Sequence, residues 1–117
     1  MDIELFREYC LAKEGATEGF PFDNVTLVFK VMGKMFALTD IETFASINLK
    51  CKPEIAIALR EEFPAVQPGY HMNKTHWNTI IMDGSISDSL IFNWIDNSYN
   101  LIVQNLPSGM RKQLKPK

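Results

Sequence analysis

The sequence predicts an α+β domain: a two-layer sandwich in which one antiparallel sheet carries helices on one face. Three observations lead there. Residues 25–32 alternate as a strand and run into a glycine-bearing turn, which marks a hairpin. Residues 88–104 place apolar side chains at helical spacing over more than four turns. The order helix, three strands, helix, one or two strands, helix links successive strands by short connections, which favours antiparallel pairing. At 117 residues the chain is long enough for one core and reads as one domain, with a basic tail from about residue 107 that is expected to fray.

The first helix is expected over residues 3–14. Asp2 can cap it, Glu4 suits its positive end, and Gly15 stops it. Ile3, Phe6 and Cys10 form its apolar stripe. Residues 16–24 read as a connector, with Phe20-Pro21-Phe22 plugging one end of the core or offering a contact. Val25–Met32 is the clearest strand: Val25, Leu27, Phe29 and Val31 share one face, and Thr26, Val28, Lys30 and Met32 the other. Gly33-Lys34 suits a two-residue II′ turn, and Met35–Thr39 returns. Residues 44–50 alternate as a third strand, with Ile47 and Leu49 toward the core.

Pro53 and Glu54 open a second helix that Phe63-Pro64 ends. A turn at Pro68-Gly69, a short strand over 70–72, a turn over 73–76 and a strong strand over 77–82 follow. Ser87 caps the last long helix, which runs to about Gln104, and residues 110–114 can add a turn. The sheet face away from the helices is expected to hold Thr26, Lys30 and Asn78, with Val28, Met32 and Met82 as its apolar part.

Composition narrows the functional classes. The net charge of −2 disfavours a generic salt-driven binder of polyanions. The charge is uneven, however: residues 1–23 carry six acids and two bases, whereas residues 24–52 carry two acids and four bases. No apolar run approaches the ~20 residues of a membrane span. The start has no basic and apolar leader pattern, so a cytoplasmic location is the default expectation. Cys10 and Cys51 form no CxxC pair and read as small buried hydrophobes.

One stretch stands out. Residues 67–82 hold both histidines, His71 and His76, and one of the two tryptophans, Trp77. With Gly15–Phe22, the 25–36 hairpin, Ser46–Cys51, the run Pro68-Gly69-Tyr70-His71-Met72-Asn73-Lys74-Thr75-His76-Trp77-Asn78, Asp96–Tyr99 and Leu106-Pro107, the chain resembles the YjbR/MmcQ family of small bacterial proteins. That resemblance implies a fold like that of the bacterial frataxin homologue CyaY. It also implies a "double wing" surface that contacts DNA through the sheet face and its hairpins.

On that reading Lys30, Lys34, Lys50, Lys52 and Lys74 reach phosphates. His71, Asn73, His76 and Asn78 hydrogen-bond backbone or base edges, and Trp77 stacks on a base or fills the core beside Trp94. With no arginine among these residues for bidentate guanine contacts, such binding is expected to be weak and salt-dependent. The alternative is a protein-interaction module using the open sheet face and the Phe20–Phe22 loop.

Other chemistry finds less support. His71 and His76 have a spacing that metals use, but no third ligand stands nearby, so no metal is expected. Asp2, Glu4, Glu8 and Glu14, on or near the first helix, are what any solvated helix carries. No phosphate loop or nucleophile motif is present, so neither an enzyme nor a cofactor is expected.

Overall fold

The periodicity of residues 88–104 is realised without a slip. In the computed structural model, which describes residues 1–114, helix α3 (Asp88–Gln104) starts at the Ser87 cap, whose hydroxyl accepts from the Leu90 N–H. Its buried stripe of Ile91, Trp94, Ile95, Ser98, Tyr99 and Ile102 lies on the sheet. Helix α1 (Ile3–Leu11) is capped by Asp2 and buries Phe6 and Cys10 on the same side. Helix α2 (Pro53–Glu62) starts with proline in its first turn, and α4 (Ser108–Arg111) is one short turn.

The sheet has six strands: β1 (Ala16–Gly19), β2 (Thr26–Val31), β3 (Lys34–Asp40), β4 (Ser46–Lys50), β5 (Val66–Pro68) and β6 (Trp77–Ile81). Their spatial order is β1-β2-β3-β4-β6-β5, with every neighbouring pair antiparallel. The α+β two-layer architecture is therefore present. Strand pairs put Leu27, Phe29, Ala37, Ile47, Leu49 and Ile80 on the helix side. Phe6 meets Phe29 edge-on at 5.6 Å, and Phe36 meets Tyr99 edge-on at 5.4 Å. A register shift after Phe29 leaves Phe36 as an extra residue in β3, so Phe36 and Ala37 are both buried.

Polar groups tie the layers together. The Ser98 hydroxyl, fully buried, donates to the Phe36 carbonyl at 2.6 Å and accepts from the Lys50 N–H at 3.0 Å. One side chain thus fixes α3 on both β3 and β4. Asp96 accepts from Tyr9 at 2.7 Å and from the Lys13 ammonium, while Tyr99 donates to the Glu14 carbonyl at 2.6 Å. These bonds lock the end of α1 to α3.

Several boundaries differ from expectation. The hairpin turn is Met32-Gly33, not Gly33-Lys34, and both residues have positive φ, 49° and 80°. That is the type I′ geometry whose twist matches a hairpin. Met32 and Met82 pack against the main core instead of contributing to the open face. The 16–24 connector contains β1, an edge strand too short and polar to show alternation. The strand expected at 70–72 is absent; β5 at 66–68 takes the edge, where Pro68 costs no internal ladder bond. The expected fraying tail contains α4, and residues 115–117 of it lie outside the described residues.

Candidate functional site

Alternation along the strands decides what the uncovered face carries. Pairing places Thr26, Val28 and Lys30 of β2, Met35 and Leu38 of β3, Ser46, Asn48 and Lys50 of β4, and Trp77 and Thr79 of β6 on the side away from α1 and α3. Val28, Leu38 and Trp77 form a second small apolar cluster there, with Met35 and Met72 against it. Trp77 therefore sits on the sheet side opposite Trp94. It is only 7% exposed, so it is packed as a cover over the outer face and not available for stacking as it stands.

The loop over residues 69–76 folds against this cluster. The Gly69 N–H donates to the Trp77 carbonyl at 2.9 Å, and the Tyr70 N–H to the Thr79 hydroxyl at 2.9 Å. A side chain at Gly69 would put its Cβ 2.9 Å from both Trp77 Cβ and the Trp77 carbonyl oxygen, so glycine is required for this approach. From the other side of the sheet, Arg60 of α2 pins the loop base. Its guanidinium donates to Asn78 Oδ1 at 2.6 Å and to the carbonyls of Lys74 and Trp77.

The candidate residues divide accordingly. Asn78 lies on the helix side, not on the outer face, because it pairs with Leu49 and Pro68. It is 2% exposed and held by Arg60, the Ala56 carbonyl and Cys51 Sγ. Asn73 closes its own turn by accepting from the Thr75 N–H, and Lys74 Nζ donates to the Gly69 carbonyl at 3.1 Å. Lys34 pairs with Val31 at the hairpin end, which puts it on the helix side of the sheet. Lys52 precedes α2 and is exposed. Lys30 and Lys50 remain on the outer face, with His71 and His76 exposed on the loop. His71 has a φ of 57°, and its ring lies 4.1 Å from that of Tyr70 at a tilt of 50°; Tyr70 is 70% exposed.

Charge separates the two sides. Among the outer-face strand residues Asp40 is the one acid, and its carboxylate accepts from the Glu42 and Thr43 N–H groups. Among the described residues no three of His, Cys, Asp and Glu gather as a metal set. Burial pushes the Cys10 and Cys51 thiols up, which disfavours the thiolate at both.

A second feature escaped the sequence reading. α2 packs on β5 and β6 while α3 packs on β2, β3 and β4, so a cleft of about 350 Å³ opens between the helices. Leu49, Val66, Ile80 and Trp94 line its interior, and Lys52, Asn97, Asn100 and Gln104 stand exposed at its edge. The signal was present: Asn97, Asn100 and Gln104 fall at i, i+3 and i+7 beside an apolar stripe. Arg60 also went unnoticed, because an arginine followed by Glu61-Glu62 reads as an ordinary solvated helix end.

The sequence and the fold have counterparts. The YjbR family model matches residues 11–101, most of the chain. The chain belongs to the YjbR family. It is 38% identical over 115 residues to the uncharacterized protein YjbR of Escherichia coli K12, covering 97% of this chain and 98% of that one. The uncharacterized YbdF of Escherichia coli O157:H7 is 36% identical over 98 residues, covering 83% and 80%. The crystal structure of Deinococcus radiodurans protein DR2400, of domain DUF419, superposes with a TM-score of 0.90 at 36% identity, covering 98% of this chain and 90% of that one. A Pseudomonas syringae protein gives 0.74 at 29% identity, covering 86% and 98%. The family and its fold are thus secure, and its function is not established. No described helix is long and apolar enough to cross a membrane.

Proposed function

We propose that the outer sheet face binds DNA weakly, mainly through phosphates. The observation that supports this is a basic, nearly acid-free sheet face in a chain whose net charge is −2. Lys30 and Lys50 flank the Val28–Leu38–Trp77 cluster, and Ser46, Asn48 and Thr79 supply neutral polar groups between them. The loop adds the exposed Tyr70, His71 and His76 at one rim, where an aromatic face can stack on a base. Acids on α1, α2 and α3 repel a polyanion from the other layer, so the charge distribution favours one orientation.

Labelled duplex and single-stranded DNA titrated at two salt concentrations test this. Binding is expected at ~50 mM salt and should fall steeply toward ~200 mM. Replacing Lys30 and Lys50 by Gln together should weaken it and flatten the salt slope by about 2. No binding at ~50 mM would overturn the proposal.

A protein contact is the second reading, and a different patch favours it. Phe22 is 64% exposed and Phe20 46%, and Phe20 shares a groove with Ile3 and Ile41 beside α1. Changing Phe20 and Phe22 to Ser leaves DNA titrations unaltered if the two surfaces act separately.

A further inference from the structure

The space between α2 and α3 lies on the sheet side opposite the proposed DNA face, and it is shaped like a ligand site. Its volume of about 350 Å³ is at the small end of the range of ~300–1,000 Å³ in which small molecules are held. Its interior is apolar and includes one aromatic wall, Trp94, whose ring makes a T-shaped contact with Phe63 at 5.2 Å. The deep polar groups are already committed. Asn78 spends its amide on Arg60, the Ala56 carbonyl and Cys51 Sγ.

What remains to recognise a ligand lies at the edge. Asn97, Asn100 and Gln104 line it from α3, and Lys52 from the start of α2. Lys52 is the charged side chain at the cleft edge and no acid lines it; Lys50 also borders the cleft, but alternation along β4 sends its side chain to the outer face and its N–H to Ser98. Lys52 makes no ion pair among the described residues. An occupant that complements these groups is compact, apolar at one end and singly negative at the other.

We propose that this cleft binds a small amphipathic monocarboxylate, with an aromatic or branched aliphatic body against Leu49, Ile80 and Trp94 and its carboxylate toward Lys52. The α3 amides then select among polar substituents on the body. No bond is made or broken, and Cys51 serves only as a reporter of occupancy.

The test compares 3-phenylpropanoate with its neutral analogue 3-phenylpropanamide in amide-resolved NMR titrations, with iodoacetamide alkylation of Cys51 as a second readout. For the carboxylate, saturable shifts are expected at Cys51, Lys52, the Trp94 indole and the Asn97 and Gln104 side-chain amides, with Cys51 alkylation slowed severalfold. Lys52→Gln should weaken carboxylate binding about two- to fivefold and leave the carboxamide unchanged, the range set by an exposed charge pair. Leu101→Trp, which fills the cleft, should abolish both. Lys30→Gln should change nothing, which separates this site from the outer face. The proposal is overturned if no saturable shift appears at millimolar carboxylate, if the shifts fall outside the cleft, or if the carboxamide binds equally well. Concentration-dependent shifts at the same amides without ligand would also overturn it, because a second copy of the chain would then fill the space.

Discussion

Ser98 is the side chain on which the joining of the two layers most depends. Its hydroxyl serves Phe36 and Lys50 in a fully buried site, so Ser98→Ala orphans a buried carbonyl and a backbone N–H. A loss of about 1–3 kcal/mol is expected in urea unfolding; a change below ~0.5 kcal/mol would mean that other groups or water replace it. Tyr9 gives a pH signature. Burial, then its bond to Asp96, pushes its phenol up to about 12 from 10.0. The folded state therefore holds that proton more tightly than the unfolded chain. The associated stability is complete below pH 10 and is lost as pH rises toward 12. Tyr9→Phe should flatten the alkaline fall measured by unfolding between those values, leaving the parts due to Tyr99 and to the Cys10 and Cys51 thiols, which burial shifts the same way. An unchanged alkaline profile would remove Tyr9 from that role.

The elements show what the sequence makes legible and what it does not. Helix α3 was readable to the residue, because Ser87 caps it and its apolar spacing is unbroken. Strand β2 was readable because Leu27, Phe29 and Val31 alternate with Thr26, Val28 and Lys30, and the buried Val28 adds an apolar residue on the outer side, toward Trp77. That same property hid Trp77's role. An indole covering a satellite cluster on the outer face looks, in one dimension, like either a core residue or a ligand platform. Asn78 shows the converse: alternation from Trp77 puts it on the helix side, but only the fold supplies Arg60 as its partner. Short edge strands β1 and β5 carry too few residues to alternate, so they were missed or misplaced. The loop should depend on its covering indole. Trp77→Ala is expected to cost about 3–5 kcal/mol and to loosen residues 69–76 in hydrogen exchange. Retained stability with a rigid loop would show that Met72 and Leu38 suffice.

Across the whole molecule, the sheet separates two chemistries. One side is an apolar core closed by acid-bearing helices, with a cleft where α2 and α3 part. The other is a thin, basic, polar face sealed at its centre by Trp77 and bordered by the 69–76 loop. Arg60 connects the two, since it reaches from α2 past Asn78 to the carbonyls under that loop. Arg60→Gln should therefore shift loop resonances and lower stability by about 1–3 kcal/mol, because it leaves Asn78 and two carbonyls short of a donor. A loop with unchanged resonances would show that it is held by its own turns. The proposed contact is between DNA and the outer face. Its most direct measurement is an amide chemical-shift map of the 15N-labelled protein with a short DNA at ~50 mM salt, where the phosphate contribution is strong. The expected result is a footprint over Lys30, Asn48, Lys50 and residues 70–76, fading as salt is raised. A footprint on α1 or in the α2–α3 cleft, or none at all, would contradict it.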